Sequence, residues 1–569
     1  MAECTLPTIA IGIFESQYIH SSLAPWCLAA GIRQWTPQLR PVVCESTINR
    51  PVEELAEKII ALQPAVIGLS CYIWNMPQVE ILLPLLKAAL PHIPIVLGGP
   101  EVSWRAPQVL TRLQEVDFVI SGEGEEPFAR LCAALTARTD TADIPGVCSR
   151  TRPDAPAHLP DGTWPSPYCQ EYFAALDGRI AYLETSRGCP FSCAFCLSGR
   201  CGGVRFLPME RTKAELLALA GSGTRTIKLV DRTFNCDRRR ADELWRFIAA
   251  EYGKGIPKSV RIHFEIGGDL LDEENLAVLA AMPKGSIQLE IGLQSFFEPT
   301  LEAIRRKTDT EKLCRNIRTL LAGGNIHVHI DLIAGLPLET PELFAKSFDT
   351  AYTLGAHQLQ LGFLKLLHGA ALREAAGKNG FVYTDVPPYE VTATHWYPAE
   401  AMIRLHRTED ALDRLYNSGR FTLTLAFLLE TTGLTPFALF ERTGEALCHL
   451  NPQQLSLDEY TAAVHDFFRT LPDVDAAVLR DIMVCDRLAS NRTGRLPTCL
   501  QIQDPAGLKA AAKALPPVAP GVRRGLAILY TQNRIVWADY AEDAQDVITE
   551  RWPLQFQSLS GEGVPPAIH

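Results

Sequence analysis

Three cysteines stand close together in the chain, Cys189, Cys193 and Cys196, with the spacing C-x-x-x-C-x-x-C. Thiolates are soft ligands that favour zinc and iron–sulfur clusters. Three protein ligands leave one iron of a four-iron cluster open, and open positions distinguish catalytic from structural metal sites. A structural zinc site is the alternative, and it needs a fourth nearby ligand, for which Cys201 is the nearest candidate.

The cysteines follow the first of six apolar segments that alternate with helical patterns between residues 179 and 375. Strands that alternate with helices predict a parallel sheet, and six units are enough for a barrel or a partial barrel. The predicted strands are residues 180–184, 226–230, 262–266, 287–291, 326–333 and 358–363. The active site of such a barrel lies at the carboxyl ends of its strands, which is where the cysteines fall.

A second α/β pattern precedes the barrel segment. Short, continuous apolar runs are typical of strands buried on both faces, and they occur at residues 7–13, 64–69, 93–97 and 118–120. Ligands of open parallel sheets bind beyond the carboxyl ends of the strands. We therefore predict an α/β protein with a Rossmann-like parallel sheet in residues 1–145, a Pro-rich linker in 146–178, a partial (β/α)6 barrel in 179–375 and a mostly helical C-terminal domain in 376–569. Residues 526–530 and 534–538 are predicted to pair as a hairpin.

Length and composition limit the classes of function. The 569 residues exceed what one core supports, and the net charge of −11 argues against general binding to nucleic acids or anionic membranes. No apolar run is long enough to span a bilayer and no secretory signal is evident, so we expect a cytoplasmic protein, either a monomer or a weak oligomer. The 16 cysteines are then reduced thiols, some of them metal ligands, rather than a disulfide framework.

The cysteine run, placed after a strand at the head of a β/α array, resembles the radical S-adenosylmethionine (SAM) superfamily. The resemblance implies that the three cysteines hold a 4Fe-4S cluster whose free iron chelates SAM, and that reduction cleaves SAM to a 5′-deoxyadenosyl radical. It also implies SAM contacts beside the third cysteine and at later strand ends, with a carboxylate on the SAM ammonium: Phe195, Asp231, Glu290, Gln294, Ser295 and Ile333. A polar residue at a strand end is, in the alternative, only a cap or turn residue.

The loops of the N-terminal sheet resemble the cobalamin-binding domain that is fused to many radical SAM enzymes. The resemblance rests on residues 68–72, 97–101 and 121–128. It implies cobalamin contacts from Ser70, Cys71, Tyr72, Gly98, Gly99, Glu101, Gly122 and Glu123. The alternative is an empty Rossmann-like domain whose glycines only form turns. The D-x-H-x-x-G motif that supplies a histidine to cobalt in many cobalamin proteins is absent, and His20 is in a different frame, so we expect no histidine on cobalt.

The chain as a whole resembles one branch of the cobalamin-dependent radical SAM enzymes, which carries a C-terminal domain of unassigned function. Segments 18–24, 228–236, 360–367 and 387–390 carry this resemblance. It implies a methyltransferase in which one SAM methylates cobalamin, a second yields the radical, and methylcobalamin supplies the methyl group to an unactivated carbon. Two alternatives stay open: a radical cyclase, ring-contracting or oxidising enzyme with the same cofactors, and a non-catalytic carrier or sensor. The expected substrate is a small molecule or a peptide, and the expected reductant is a flavodoxin or ferredoxin.

Polar residues on the predicted barrel strands are candidates for contact with the substrate. They are His263, Glu265, Glu290, His327, His329, Asp331, Gln360 and Lys365. Alternation along a strand places His327, His329 and Asp331 on one face. Polar groups inside a barrel need partners or water, so these residues equally suit a closed structural network. Tyr389 and Glu390 are candidates for a lid, and Cys236 is either a redox group or a buried inert thiol.

Overall fold

Six strands from the N-terminal part of the chain form the first sheet. The computed structural model describes residues 6–160, 162–200, 202–501 and 504–559, so Cys201 lies outside the described residues. The strands are β1 (Thr8–Glu15), β2 (Arg40–Thr47), β3 (Val66–Ser70), β4 (Ile95–Gly98), β5 (Phe118–Ile120) and β6 (Val147–Ser149). They lie in the order β2-β1-β3-β4-β5-β6, and only the pair β5–β6 is antiparallel.

Helices pack on both faces of this sheet because successive side chains of a strand point to opposite sides. The helices are α1 (Ala24–Trp35), α2 (Val52–Ala61), α3 (Met76–Ala89), α4 (Pro100–Ser103), α5 (Ala106–Arg112) and α6 (Glu125–Ala137). Ile9 and Ile11 of β1 belong to the core that α1 and α6 complete. Ala10, between them, belongs to the core on the other face, which α2, α3 and α5 complete. The predicted Rossmann-like sheet is confirmed.

Two strands of the first sheet were not predicted. Strand β2 is a partly exposed edge strand that contains Pro41 and Glu45, so it lacks the continuous apolar run of a buried strand. Strand β6 lies inside the segment predicted as a linker, and it extends the sheet past the predicted boundary at residue 145. The chain that follows pairs with the sheet at His158, whose backbone bonds Ser121 and Glu123, before α7 (Gln170–Leu176).

The barrel segment forms a second, wholly parallel six-stranded sheet. Its strands are β7 (Ala181–Leu183), β10 (Thr226–Leu229), β11 (Arg261–Ile266), β12 (Ile287–Gln294), β13 (His327–Ala334) and β14 (Gln358–Phe363), and they lie in that order across the sheet. A two-stranded antiparallel ribbon, β8 (Ser186–Arg187) with β9 (Arg205–Phe206), follows β7. The helices between the strands are α8 (Met209–Ala220), α9 (Arg238–Glu251), α10 (Glu273–Ala280), α11 (Glu298–Ala303), α12 (Thr310–Gly323) and α13 (Pro341–Thr353). All six predicted strands are confirmed, and with them the partial barrel.

The C-terminal part is mostly helical, as predicted, and it shares its core with the barrel. Its elements are α14 (Ala371–Glu374), β15 (Val382–Tyr383), β16 (Val391–Ala393), α15 (Ala399–Leu412), α16 (Thr422–Thr432), α17 (Pro436–Leu447), α18 (Leu457–Phe468), α19 (Ala476–Ser490), α20 (Pro505–Ala512), β17 (Arg524–Leu529), β18 (Arg534–Asp539) and β19 (Gln555–Ser558). Strands β17 and β18 form the predicted hairpin, and β19 adds a third strand. Phe348 of α13 packs edge-on against Phe437 and Phe440 of α17, so the barrel and these helices bury apolar surface together.

Among the described residues no single helix is both long and apolar enough to cross a membrane, and only the bent pair Thr422–Thr432 and Pro436–Leu450 passes that test when its two helices are counted together.

Candidate active site between the first sheet and the barrel

The three cysteines lie on one loop, residues 188–204, which we call the cysteine loop. The ribbon β8–β9 closes the base of this loop, where a Cβ on Gly188 would lie 1.9 Å from the backbone oxygen of Gly203. Its middle is held by the backbone of Ala194, which donates to Ile304 at 2.8 Å. Each cysteine is partly exposed, so the thiols are open to a ligand while their backbone is fixed.

The donor set fits an iron–sulfur cluster better than a single metal ion. Within the described parts of the chain, no three His, Cys, Asp or Glu side chains converge as ligands of one ion. A 4Fe-4S cluster binds each thiolate through a different iron, so its cysteines need not converge. Burial raises the pKa of Cys193, Arg306 opposes this rise, and the nearby Cys196 and Cys189 add to it. Three mutually interacting thiols beside an arginine suit an anionic cluster.

A cavity of about 390 Å³, which we call the barrel cavity, lies between the cysteine loop and the carboxyl ends of β10 to β14. Four of the six predicted SAM contacts line it: Phe195, Glu290, Gln294 and Ile333. Arg232, Thr233 and Arg306 line it as well and were not predicted. Arg306 belongs to the loop between α11 and α12, where nothing in the sequence other than its charge marks it.

Gln294 and Arg306, which line the barrel cavity, each have a buried polar atom without a hydrogen-bond partner. They are Oε1 of Gln294 and Nε of Arg306, and neither has a hydrogen bond in the described structure. Gln294 ends β12 with a φ of 70°, next to an irregularity in the pairing of β12 with β13. A buried polar atom without a partner is costly, so these two groups fit a polar ligand in the cavity.

Glu290 is the centre of a charged network on the barrel strands. Its Oε2 lies 2.8 Å from Nε2 of His263 and 3.2 Å from Nζ of Lys228. Burial alone would raise the pKa of Glu290, but the bond with His263 and the charge of Lys228 outweigh it and lower the pKa to about 2. Glu290 is therefore a carboxylate at neutral pH and can accept hydrogen bonds from a cationic or hydroxylic ligand.

The other predicted substrate contacts divide into two groups. Glu265, Asp331, Gln360 and Lys365 line the barrel cavity with Glu290. The three histidines lie outside the cavity lining: His263 bonds Glu290, His329 lies 3.0 Å from Asp331, and His327 stacks on His357 with ring centroids 4.9 Å apart.

Two predicted SAM contacts have other partners in the structure. Both oxygens of Asp231 are occupied, because Asp231 accepts from the backbone and hydroxyl of Thr185 at 2.8 and 2.5 Å and from the hydroxyl of Ser186 at 2.7 Å. Ser295 is buried and donates to Glu339 at 2.5 Å. Neither residue lines the barrel cavity, so these partners favour the alternative of a structural residue at a strand end, and contact with SAM stays a prediction.

A second cavity of about 680 Å³, the interface cavity, lies between the first sheet and the barrel. Six of the eight predicted cobalamin contacts line it: Ser70, Tyr72, Gly98, Gly99, Gly122 and Glu123. Cys71 does not line it, since its thiol is fully buried and contacts the oxygen of Leu69 at 3.6 Å. Glu101 does not line it either, since its carboxylate contacts Arg105 and the hydroxyl of Tyr389, and both cobalamin contacts stay predictions.

The last residue of β4, Gly98, and the next residue, Gly99, serve different purposes. Gly99 has a φ of 110°, and a Cβ there would lie 2.5 Å from the backbone oxygen of Cys71. A Cβ on Gly98 would meet no protein atom nearer than Cβ of Ile120, at 3.9 Å. Gly98 therefore leaves space that belongs to the cavity, and this space fits a ligand that approaches the backbone closely.

The remaining candidates of the N-terminal and C-terminal parts are also placed. His20 lines the interface cavity, and its Nδ1 lies 2.7 Å from the hydroxyl of Tyr182. Whether a histidine binds cobalt stays a prediction. Tyr389 is buried and Glu390 pairs with His406 at 3.0 Å, so neither lines a cavity as a lid would. Burial raises the pKa of Cys236, which fits an inert thiol.

Residues that the sequence did not reveal complete the interface cavity. Trp74 stacks on Tyr72 with ring centroids 4.3 Å apart, and the guanidinium of Arg200 lies 5.2 Å from the ring of Trp104. Aromatic residues on helices and loops are more often core than ligand contacts, so only their position beside the cavity distinguishes them.

Glu15, at the end of β1, makes the stability of this cavity wall depend on pH. Burial, aided by the charge of Glu45, raises the pKa of Glu15 to about 8, and its Oε1 has no described partner. The unfolded chain releases this proton near pH 4.5, so between pH 4.5 and about 8 the folded state holds the extra proton and loses stability as pH rises.

Glutamine cannot lose a proton, so we expect Glu15→Gln to raise the free energy of unfolding relative to the wild type as pH rises. This difference between variant and wild type should be about 2–4 kcal/mol larger at pH 8 than at pH 5. Thermal or urea unfolding of both proteins across this range measures the difference. Glu57→Gln, at an exposed position of α2, is the matched control. Parallel stability curves for wild type and Glu15→Gln would contradict the prediction.

Family models match three consecutive parts of the chain. They are the B12 binding domain at residues 11–132, the Radical SAM superfamily at residues 183–351, and a family described as Protein of unknown function (DUF4080) at residues 377–516. The cobalamin-dependent radical SAM methyltransferase TokK of Streptomyces tokunonensis is 30% identical over 345 residues, which is 57% of this chain and 50% of TokK. The chain spans about half the length of the curated relatives it matches.

Two solved structures are similar in fold. OxsB with aqua-cobalamin and SAM bound has a TM-score of 0.59 and 14% identity, and the match covers 85% of this chain and 79% of OxsB. TsrM from Kitasatospora setae with cobalamin and a 4Fe-4S cluster bound has a TM-score of 0.55 and 19% identity, with 67% and 78% covered. The chain therefore combines a B12 binding domain with a radical SAM domain, and its cofactors are a 4Fe-4S cluster, SAM and cobalamin.

Proposed function

We propose that this enzyme is a methyltransferase that acts on an unactivated carbon of a small molecule or peptide. The observation that carries the proposal is that the two cavities adjoin: Arg232, directly after β10, lines both of them. Groups bound in the barrel cavity and groups bound in the interface cavity would therefore lie on either side of Arg232. A substrate bound beside Arg232 would be within reach of groups in both cavities.

When bound, SAM on the cluster supplies a 5′-deoxyadenosyl radical and cobalamin carries the methyl group. The chain's own residues bind and orient these groups. Cys189, Cys193 and Cys196 hold the cluster, while Glu290 and Gln294 offer acceptors for the polar groups of SAM. Gly98 leaves room for cobalamin beside the backbone of β4.

Arg232 and Lys365 add positive charge to the barrel cavity, and Glu265 and Asp331 add negative charge. The lining is thus polar and of mixed sign, which suits a substrate with hydrogen-bonding groups rather than a purely apolar lipid chain. Cleavage of SAM needs an electron from outside the chain, and a flavodoxin or ferredoxin remains the proposed donor.

Product analysis tests the proposal. The reduced, fully loaded enzyme is incubated with candidate small molecules and peptides and with SAM that carries a deuterated methyl group. Methyl transfer consumes two SAM, so each methylated product should appear with one S-adenosylhomocysteine and one 5′-deoxyadenosine. Formation of 5′-deoxyadenosine with a modified but unmethylated product would overturn the proposal in favour of a cyclase or oxidising enzyme. A loaded, reduced protein that never cleaves SAM would overturn it in favour of a carrier or sensor.

A further inference from the structure

Arg187 makes ion pairs with three carboxylates at once. Its Nη1 lies 2.6 Å from Oε2 of Glu123, and its Nη2 lies 2.6 Å from Oε1 of Glu125 and 2.8 Å from Oε2 of Glu184. All four side chains are largely buried, with at most 19% of any of them exposed. The ring of Trp164 covers the guanidinium, with the ring centroid 4.3 Å from its carbon. Such a buried, forked arrangement fixes geometry, because each carboxylate depends on the same planar cation.

The partners of Arg187 come from both sides of the interface cavity. Glu123 and Glu125 follow β5 of the first sheet, in the loop and first turn of α6 that border the cavity. Arg187 itself ends β8, two residues before Cys189. Arg205, on the paired strand β9, contacts Glu123 as well. The base of the cysteine loop is therefore bound directly to the segment after β5, residues 122–125, which lines the interface cavity.

The position of this network separates it from other ion pairs between the same parts of the chain. Arg179, just before β7, pairs with Glu45 of β2 at 2.7 Å and is buried to a similar degree. Its partner lies on the edge strand, and neither residue lines the barrel cavity or the interface cavity. Arg179 also donates to the backbone oxygen of His20 at 3.2 Å, but its described side-chain bonds do not include the cysteine loop or Glu123 and Glu125.

We propose that Arg187 is a positioning residue that sets the placement of the 4Fe-4S cluster relative to cobalamin. The inference rests on the proposed function only in that both cofactors must be bound. Without the guanidinium, three buried carboxylates would face one another with Arg205 as their main remaining cation, and their repulsion would separate the two loops. Lysine keeps the charge but lacks the fork that reaches all three carboxylates.

The test is electron paramagnetic resonance of the holoprotein, with its cluster reduced and its cobalamin as cob(II)alamin, so that both centres are paramagnetic. Their dipolar interaction falls with the cube of the distance between them. We therefore expect Arg187→Lys to change the interaction-dependent broadening of the cobalamin signal by about 1.3-fold, for a loop shift on the order of 1 Å across a separation on the order of 10 Å. Arg179→Lys is the matched control and should leave the spectrum as in the wild type. The reading does not require a substrate.

An unchanged spectrum for Arg187→Lys, with both cofactors bound, would overturn the inference. Equal changes in Arg187→Lys and Arg179→Lys would overturn it as well, because Arg187 would then be only one of several interface contacts. If Arg187→Lys fails to fold, Glu184→Gln removes one charge of the network at the same size, and it must change the broadening in the same way or the inference falls. This test is independent of the proposed function, since the broadening can be measured in a protein that transfers no methyl group.

Discussion

Replacing Cys193 by alanine should abolish SAM cleavage. A cluster held by only two thiolates loses an iron site or dissociates, so formation of 5′-deoxyadenosine should fall by at least about 10³-fold. Iron analysis and the cluster absorption band should fall together with it. Cobalamin binding should persist, because the interface cavity is formed by other residues for most of its wall.

The control for this variant is Cys236→Ala. Cys236 is a partly buried thiol close enough to interact electrostatically with Cys189, yet it lies after β10 and off the cysteine loop. It should keep its iron and its SAM cleavage. A Cys193→Ala protein with wild-type iron content and turnover would show that the three-cysteine assignment is wrong, and loss of iron in Cys236→Ala would show that the ligand set is incomplete.

Gly98→Leu should remove cobalamin binding while leaving SAM cleavage in place. The new Cβ meets no protein atom closer than 3.9 Å, so the side chain extends into the interface cavity rather than into the core. We expect cobalamin affinity to fall by about 100-fold, equivalent to about 2.7 kcal/mol, with little loss of folding stability. Absorbance titration with cobalamin measures the affinity. Formation of 5′-deoxyadenosine by the reduced protein measures SAM cleavage at the cluster.

Gly377→Leu is the matched control, because a Cβ at this glycine has no atom within 4 Å and the residue lines neither cavity. It should bind cobalamin as the wild type does. Unchanged cobalamin affinity in Gly98→Leu would place the cofactor elsewhere. Together with Cys193→Ala, this variant separates the two cofactors: each should remove one and spare the other.

Several site residues could be predicted because their position follows from local sequence. The cysteine spacing sets a loop after a strand, and Gly98 and Ser70 end two neighbouring parallel strands, whose carboxyl ends meet at one edge of the sheet. Strand β2 escaped prediction for the opposite reason: an edge strand is partly exposed, so its sequence lacks the apolar run by which buried strands are found.

The direction in which side chains point at the strand ends could not be predicted from the sequence. Asp231 and Glu290 both belong to barrel strands or their ends and both were predicted to bind SAM, yet Thr185 and Ser186 occupy Asp231 while Glu290 borders the cavity. Glu101 has its partner Tyr389 at a distance of 288 residues along the chain. No local pattern encodes such a pairing.

The sequence by itself determined which cofactors this protein holds. The loops that bind the cluster and cobalamin are short segments, and the types and spacing of their residues specify the cofactor. Only the tertiary structure decided how the two halves of the site meet. Arg232 borders both cavities, and Arg187 gathers carboxylates from positions 62 and 64 residues earlier in the chain. These contacts depend on packing a parallel sheet against the open end of a barrel, and their energies arise from burial and charge pairing that exist only after the chain has folded.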